Sequence, residues 1–260
     1  MISDSIIPIV REAARLMVRS GFDVMEKDSQ VNLVTSSDLA VQDFLVERLS
    51  GLVPGSGFLC EENDLADISH EYVWIIDPID GTANYARGIG DCCVSVALAR
   101  KRELIAGVVY IPWRDDLYHA EKGAGAFMNG RRLKVSERPM SSCLFGTAMS
   151  AYRKEFAKVC SDIIFDVYMR SNDVRRFGSA AVELCMLAAG QLVLYFEMRL
   201  QPWDYAAASV IISEAGGVSC GFDGKALSLD RAGLVLAANS RENLDDLLST
   251  VRRYIPELPY

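Results

Sequence analysis

The chain has 260 residues, half of them hydrophobic, which is enough to bury a large core in one domain or in two packed halves. Its net charge of −8 and isoelectric point of about 4.9 argue against a nucleic-acid partner, since a surface that binds nucleic acid needs clustered lysine and arginine. With two histidines and no run near the ~18 apolar residues of a membrane span, a histidine-rich zinc site, a Ser-His-Asp triad and a membrane protein are disfavoured.

The first predicted elements are two helices. Apolar residues recur at helical spacing over residues 4–19, which predicts an amphipathic helix. We expect a polar loop over residues 27–32, then a second helix over 37–49 that Gly51 and Pro54 end. An apolar turn over residues 58–60 leads into the middle of the chain.

A run of strands follows. Strands are predicted over residues 73–76, 92–98, 106–111 and 117–120, and the sheet continues through residues 123–135, where Asn129-Gly130 signals a hairpin turn. Cys92 and Cys93 are predicted to be core residues rather than a redox pair, and His119 an ordinary strand residue. The first half therefore reads as two helices on a mostly antiparallel sheet.

The second half alternates helices and strands, which is an α/β pattern. Helices are predicted over residues 179–189, 204–215 and 243–254, and strands over 192–196 and 234–238. We place a boundary near residue 140. Residues 1–140 then form an α+β N-terminal subdomain, and residues 141–260 form an α/β C-terminal subdomain that completes a shared cleft.

The seven cysteines favour a reducing, cytoplasmic setting. Their number is odd, no Cys-x-x-Cys pair is present, and most lie in apolar stretches where free cysteine behaves as a small hydrophobic residue. The N-terminus has Asp4 early and lacks the basic-then-apolar pattern of a signal peptide.

The most informative stretch is the pair Asp77 and Asp80. The apolar run 73–76 ends in these two acids, Pro78 stiffens the link between them, and Gly81 allows a turn. Acids at the end of a buried strand are costly unless they bind something, and two of them repel each other. We therefore expect a hard divalent cation such as Mg²⁺ between them.

Other acidic residues have both an ordinary and a functional interpretation. Glu61-Glu62 could be a solvated loop, Asp204 could be a helix N-cap, and Glu197 could be the exposed end of a strand. The neighbouring Gly81-Thr82 could bind phosphate and orient a water. N–H groups at the start of a helical turn can hold phosphate oxygens, and the threonine hydroxyl can orient a water. Together these groups describe metal-assisted hydrolysis of a phosphate ester.

Four segments resemble the inositol monophosphatase family. WIIDPIDGTANY at residues 74–85 resembles its first signature, and QPWDYAAA at 201–208, running on to SEAGG at 213–217, resembles the second. NLVTSSD at residues 32–38 and RRFGSAA at 175–181 match two further blocks in family order. The resemblance covers nearly the whole chain.

This resemblance implies a layered α-β-α-β-α sandwich of the inositol monophosphatase and fructose-1,6-bisphosphatase type, assembled as a homodimer. It also implies Mg²⁺-dependent hydrolysis of a small phosphorylated polyol or sugar with two or three ions, and inhibition by Li⁺. By position, the implied metal ligands are Glu61, Asp77, the Ile79 carbonyl, Asp80 and Asp204.

The resemblance further implies catalytic and substrate-binding roles. Thr82 with Glu61 would activate the water, beside Asp77. Ala180, Glu197 and Ser150 fall where the family contacts substrate hydroxyls, and Lys27 and Asp38 match positions near the metals. The implied substrate-side residues are Asp80, Gly81, Thr82, Ala180, Glu197 and Asp204.

Departures from the family pattern leave the substrate open. Cys60, Ala83 and Tyr85 replace common residues without removing a ligand, and residues 147–152 match the substrate-side loop poorly. Inositol monophosphate is the leading substrate, and fructose 1,6-bisphosphate or a broad range of sugar phosphates is the rival. Ala83 stands where relatives that cleave 3′-phosphoadenosine 5′-phosphate carry a basic residue. A regulatory binding protein that keeps the fold is the non-enzymatic alternative, although none of the implied ligands is lost.

Overall fold

The chain folds into seven α-helices and fourteen β-strands within the residues that the structure describes. This computed structural model describes residues 1–19, 24–29, 32–62, 66–151 and 153–258, and between residues 18 and 35 it describes backbone alone. The helices are α1 Ile2–Arg19, α2 Ser36–Leu52, α3 Thr82–Tyr85, α4 Ala157–Tyr168, α5 Ala180–Ala188, α6 Pro202–Glu214 and α7 Arg241–Tyr254. The strands are β1 Val24–Ser29, β2 Asn32–Thr35, β3 Gly57–Cys60, β4 Tyr72–Asp80, β5 Cys93–Arg100, β6 Glu103–Ile111, β7 Asp116–Glu121, β8 Gly125–Met128, β9 Arg131–Arg132, β10 Leu144–Thr147, β11 Asp173–Arg175, β12 Leu194–Leu200, β13 Val218–Cys220 and β14 Gly233–Ala238.

The larger sheet contains seven strands that run from β3 to β9 in chain order. The β3–β4 pair is parallel, and every later pair is antiparallel. Short connections favour this arrangement, because an antiparallel neighbour needs only a tight turn. The predicted mostly antiparallel sheet of the first half is present.

The smaller sheet contains five strands in the order β11-β10-β12-β14-β13. β10 lies parallel to both β11 and β12, whereas β14 runs antiparallel to β12 and β13. The parallel connections are made by α4 and α5, as crossovers of this kind require.

The helices cover and separate the two sheets, which gives the predicted layers α-β-α-β-α. α1 and α2 pack on one face of the larger sheet, α5 and α6 lie between the sheets, and α4 and α7 cover the outer face of the smaller sheet. Each interface has its own hydrophobic core. The seven cysteines are free and buried, and they divide among these cores: Cys60 and Cys92 in the first, Cys93 and Cys185 in the central one, Cys143, Cys160 and Cys220 in the third.

Three predicted elements were wrong in type or extent. The polar loop expected over residues 27–32 overlaps the end of β1 and the first residue of β2, which pair antiparallel; backbone pairing there does not depend on an apolar face that the sequence could show. The apolar turn at residues 58–60 is strand β3, which lies at the edge of the larger sheet. The strand predicted over 192–196 begins later and continues to Leu200 through an irregularity between Glu197 and Leu200.

The boundary predicted near residue 140 stays a prediction, although the two sheets draw their strands from opposite sides of it. None of the helices in the described ranges has the length and apolar character needed to cross a membrane.

Candidate active site

A bulge in β4 brings Asp77 and Asp80 to the same side of the larger sheet. On β5, Ser95 is the partner of Asp77 and Cys93 is the partner of Asp80. Asp77 and Asp80 are three residues apart, whereas their partners are two residues apart, so β4 contains one extra residue here. Residues two apart on a strand share a face, and the extra residue therefore aligns the two acids. Pro78, which has no N–H for the ladder, lies within this bulge.

This face of the sheet looks toward the N-terminal ends of α5 and α6. The Cys93 Sγ lies 3.9 Å from the hydroxyl of Ser179, which precedes α5. The Ser95 hydroxyl lies 3.4 Å from the backbone carbonyl of Trp203, in the first turn of α6. The acids of β4 and the starts of these two helices therefore enclose one region.

Asp77 is a deeply buried acid of this region. Its side chain is 1% exposed, and its Oδ1 accepts a hydrogen bond from the Ile79 N–H at 3.0 Å. Burial raises the pKa of Asp77 well above its usual value, and the negative charges of Glu61, Asp80 and Asp204 raise it further. Such a site favours neutralisation, either by a proton or by a cation.

Asp80 is held by the start of α5. Its Oδ2 accepts a hydrogen bond from the Ser179 hydroxyl at 2.6 Å and another from the Ala181 N–H at 2.6 Å. Burial raises the pKa of Asp80, and these hydrogen bonds, with the N–H groups of Ala180 and Gly81, lower it in part. Asp80 is therefore fixed in orientation by the start of α5.

Thr82 is buried immediately after the Gly81 turn. Its hydroxyl lies 3.0 Å from the Ile79 carbonyl oxygen and 3.3 Å from Asp38 Oδ1. Asp38, at the start of α2, is buried, and its charge also raises the pKa of Asp77. The structure thus brings Thr82, Asp38 and the Ile79 carbonyl together as the resemblance implied. The side chain of Lys27 is outside the described residues.

Glu61 approaches the acids of β4 from the end of β3. The Glu61 N–H donates to the Ile76 carbonyl at 3.2 Å, and its charge raises the pKa of both Asp77 and Asp204. The following residue is fixed by Gln42, whose side-chain amide donates to the Glu62 carbonyl at 2.8 Å and accepts from the Glu62 N–H at 2.9 Å. Gln42 therefore positions the Glu61-Glu62 turn from α2.

Asp204 is the third residue of α6, so the expectation that it could be an N-cap was wrong. Gln201 is the N-cap, Pro202 is the first helical residue, and Asp204 Oδ2 accepts the Gln201 N–H at 2.7 Å in a capping box. Burial raises the pKa of Asp204 well above its usual value, with further increases from the charges of Asp80 and Glu61.

Glu197 lies within β12 and not at a strand end, because the strand continues to Leu200. Its Oε2 accepts the hydroxyl of the buried Tyr195 at 2.6 Å. Burial raises the pKa of Glu197 to about 7; the Tyr195 hydrogen bond lowers it, Asp80 raises it, and the positive charge of Arg176 lowers it. Glu197 is thus placed close enough to Asp80 for their charges to interact.

The two remaining substrate-side residues differ in their setting. Ala180 is the first residue of α5 and is next to Ser179, which contacts Asp80. Ser150 is buried with a φ of 50°, and its hydroxyl lies 3.6 Å from the Cys160 thiol.

Sequence reasoning assigned no role to Ser179, Tyr195 or Gln42. Ser179 carried a signal, since serine before a predicted helix is a common N-cap. Its side chain does accept the Val182 N–H, and it also donates to Asp80. Tyr195 and Gln42 act across elements that are far apart in sequence, and no local pattern marks them.

The chemistry of this donor set fits a hard divalent cation. Carboxylate and carbonyl oxygens are the ligands that Mg²⁺ prefers, and the acids here raise one another's pKa by mutual repulsion, which a cation would relieve. Across the described ranges, no three Asp, Glu, His or Cys side chains already converge as a ready ligand cluster. The placement of Asp77 and Asp80 on one side of β4, where like charges raise the pKa of Asp77, therefore points to a cation.

Comparison with known proteins gives a matching family profile, similar sequences and a similar solved structure. A profile described as the inositol monophosphatase family matches residues 2–256. An inositol-1-monophosphatase of Mesorhizobium japonicum is 38% identical over 212 residues, 79% of this chain and 78% of the relative. Nus factor SuhB of Xylella fastidiosa is 35% identical over 197 residues, 75% of this chain and 71% of the relative. The crystal structure of the extragenic suppressor protein SuhB from Bartonella henselae superimposes with a TM-score of 0.89 at 30% identity, covering 97% of this chain and 98% of that one.

Proposed function

Because the chain belongs to the inositol monophosphatase family, whose members are phosphatases, we propose that it is a Mg²⁺-dependent phosphomonoesterase that converts inositol monophosphate to inositol and inorganic phosphate. The observation that carries this proposal is the placement of Asp77 and Asp80 on one side of β4, beside a buried threonine hydroxyl. An acidic protein that binds an anionic substrate must obtain positive charge at the site, and a cation held by these acids supplies it.

In this proposal the metal ligands are the carboxylates and one carbonyl that enclose the region. Bound Mg²⁺ would polarise the phosphate ester and lower the pKa of a coordinated water. The ligands are Glu61, Asp77, the Ile79 carbonyl, Asp80 and Asp204, which would hold two or three ions between them.

The chain's own groups would orient the water and the phosphate. Thr82, with Glu61, would hold the attacking water in line with the scissile bond, since the Thr82 hydroxyl is fixed beside the Ile79 carbonyl. The Thr82 N–H, at the start of α3, would donate a hydrogen bond to a phosphate oxygen, while the Gly81 N–H already donates to Asp80. Asp77, the central acid, would hold the cluster together.

The polyol would bind beside Glu197 of β12, whose charge interacts with that of Asp80. Glu197, fixed by Tyr195, would accept hydrogen bonds from substrate hydroxyls, with Ala180, Asp80 and Asp204 nearby. A carboxylate with a defined orientation distinguishes a hydroxylated ring from an apolar alcohol, because an unpaired buried acceptor is costly.

The experiment is phosphate release from inositol 1-phosphate, fructose 1,6-bisphosphate and 3′-phosphoadenosine 5′-phosphate, each with Mg²⁺ and with EDTA. We expect inositol 1-phosphate to be the best substrate and EDTA to abolish activity. Activity that survives EDTA would contradict the metal mechanism, and a preference for another substrate would contradict the proposed specificity.

A variant tests the site itself. Asp80→Asn should lose nearly all turnover while it keeps the wild-type circular dichroism spectrum, because the amide can still accept from Ser179 but carries no charge for a cation. Turnover close to wild type would remove Asp80 from the metal site.

One observation favours sugar bisphosphates as the second candidate. The positive charge of Arg176 lowers the pKa of Glu197, so a cation lies within electrostatic range of the residue proposed to bind the substrate. Arg176→Gln should then lower kcat/KM for fructose 1,6-bisphosphate more than for inositol 1-phosphate.

A regulatory binding role is a further candidate because one relative is named as a Nus factor. The coupled acids argue for catalysis instead, since a purely binding protein gains nothing from their mutual repulsion. We also propose that the protein is a cytoplasmic homodimer and that Li⁺ inhibits it. The seven free thiols are compatible with a reducing compartment. Sedimentation analysis tests the dimer.

A further inference from the structure

Glu183, in the first turn of α5, is a buried acid that none of the proposed steps uses. Its side chain is 1% exposed, and its Oε1 accepts hydrogen bonds from the Phe177 N–H at 2.8 Å and the Gly178 N–H at 3.2 Å. Its Oε2 has no hydrogen-bond partner among the described residues. A buried carboxyl with one unpaired oxygen costs stability, so its presence needs an explanation beyond packing.

The two N–H groups that Glu183 accepts belong to the turn over residues 177–179, which ends in Ser179. Gly178 has a φ of 85° in this turn, a left-handed conformation that leaves its N–H and that of Phe177 turned inward. These two donors would otherwise be partly buried without a partner. Glu183 therefore fixes the backbone conformation from which Ser179 and the start of α5 project.

The opposite side of the same turn is held by Asn84. Its side-chain amide donates to the Phe177 carbonyl at 2.7 Å and to the Asp91 carbonyl at 2.7 Å. Asn84 lies in α3, directly after the Gly81-Thr82 turn. The turn is thus held through its N–H groups by α5 and through its carbonyl by α3.

The turn positions the groups that hold Asp80. The Ser179 hydroxyl and the Ala181 N–H both bond to Asp80 Oδ2 at 2.6 Å, and their positions depend on the turn that precedes them. We propose that Glu183, with Asn84 on the opposite side of the turn, is a positioning residue that fixes the orientation of the Asp80 carboxylate. This inference rests on the proposed function, in which Asp80 is a metal ligand.

The test compares Glu183→Leu, which removes the acceptor at nearly constant volume, with Glu183→Gln, which keeps an acceptor oxygen. The readout is Mn²⁺ affinity without substrate, measured by titration calorimetry and by the electron paramagnetic resonance signal of free Mn²⁺. Loss of a residue that orients a ligand typically weakens metal binding 10–100-fold. We expect about 10-fold weaker binding for Glu183→Leu and less than about 3-fold for Glu183→Gln.

A double-mutant cycle with Asp80→Asn shows whether the effect passes through Asp80. We expect Glu183→Leu to weaken Mn²⁺ binding in the wild-type background and to add almost nothing when Asp80 is already Asn. Equal weakening in both backgrounds, or none in either, would overturn the inference. If Asp80→Asn itself leaves Mn²⁺ binding unchanged, the ligand assignment in the proposed function fails instead.

Leu187→Ala is the matched control for lost stability. Leu187 is buried on the same helix and lies outside the 177–179 turn, so its truncation should lower the unfolding midpoint without weakening Mn²⁺ binding. A comparable loss of affinity in this control would reduce Glu183 to a purely structural role. If Glu183→Leu does not fold, Asn84→Leu takes its place in the experiment. This variant removes the hydrogen bond to the Phe177 carbonyl, and the same double-mutant cycle with Asp80→Asn is then measured.

Discussion

Gly81 shows how little space one residue of the site has. Its φ is 92°, and a Cβ built there would lie 3.0 Å from the Asp91 carbonyl oxygen, 3.1 Å from the Ser179 Cβ and 3.2 Å from the Cys92 Cβ. A side chain at this position would therefore be strained by its backbone and crowded by both neighbouring segments. Two features therefore require glycine at this position: the left-handed backbone conformation and the lack of space for a Cβ.

Gly81→Ala should lower the free energy of unfolding by about 2–4 kcal/mol, since it combines the left-handed penalty of about 1–2 kcal/mol with overpacking of a similar size. Gly216→Ala is the control, because Gly216 has a φ of 90° and a Cβ added there would meet no atom of the described residues within 4 Å. Urea unfolding measures both variants. Equal losses would show that the contacts around Gly81 contribute nothing.

The raised pKa of Glu183 predicts how the stability of the folded protein depends on pH. Burial raises the pKa of Glu183 from 4.5 to about 8, and the charges of Glu197 and Asp80 contribute, while the Phe177 and Gly178 N–H groups lower it. The folded state keeps a proton that the unfolded chain releases above about pH 4.5. The stabilisation by this proton therefore declines as pH rises and is gone above about pH 8.

Between pH 6 and pH 9, the wild-type free energy of unfolding should fall by roughly 2 kcal/mol more than that of Glu183→Gln, which cannot titrate. Urea unfolding in EDTA at the two pH values measures the difference. The other buried acids titrate in both proteins, so the comparison reports Glu183 together with its charge interactions with Glu197 and Asp80. Identical pH slopes would contradict the raised pKa.

Among the elements, β6 and α6 approach each other closely. A Cβ at Gly107 in β6 would lie 2.3 Å from the Ala207 carbonyl oxygen and 2.9 Å from the Ala207 Cα. These are backbone atoms of α6, so no side chain can move to relieve the clash. The glycine sets the distance between the larger sheet and the helix that carries Asp204.

Gly107→Ala should cost at least about 3 kcal/mol, because it pushes α6 away from the sheet. Gly51→Ala, near the end of α2 with open space around it, should be neutral or stabilising by up to about 1 kcal/mol. Thermal unfolding of the two variants tests the contrast. A stable Gly107→Ala protein would contradict the close approach.

The elements that could be predicted from sequence were those with a local pattern. Helices α1 and α7 have clear apolar stripes, and the strands from β4 to β7 are apolar runs bounded by turns. The second half of β1 is polar, β2 and β3 have only four residues each, and β3 is an edge strand, so these segments resemble loops. The extension of β12 beyond residue 196 was missed because alternating residues such as Glu197 and Arg199 interrupt its apolar run.

For the whole molecule, the candidate site could be predicted only as a set of residue types. The resemblance implies that Glu61, Asp77 and Asp204 are metal ligands, which stays a prediction; in the structure the charges of Glu61 and Asp204 raise the pKa of Asp77. The sequence could not show the bulge that aligns Asp77 with Asp80, because a bulge depends on the partner strand. Nor could it show Gln42 or Tyr195, which act across the fold.

The coupling of the acids predicts how Mg²⁺ and pH act together on stability. Burial and mutual repulsion raise the pKa values of Asp77, Asp80 and Asp204, so without metal the folded state loses stability as pH rises through those values. In the proposed function, Mg²⁺ would bind the deprotonated carboxylates and offset this loss.

The increase in Tm caused by an excess of Mg²⁺ should therefore be larger at pH 8 than at pH 5, measured by differential scanning calorimetry against a sample in EDTA. Asp80→Asn should show a smaller increase at pH 8. A Mg²⁺ effect of the same size at both pH values would contradict the assignment of these acids as ligands.

The distribution of the buried thiols has a consequence for studying how the layers come apart. Each of the three cores contains its own cysteines, and burial raises the pKa of every one of them, so none should react while its layer is closed. Pulse alkylation followed by peptide mapping would then time the opening of each layer separately. The native chain carries these reporters already, without any introduced label.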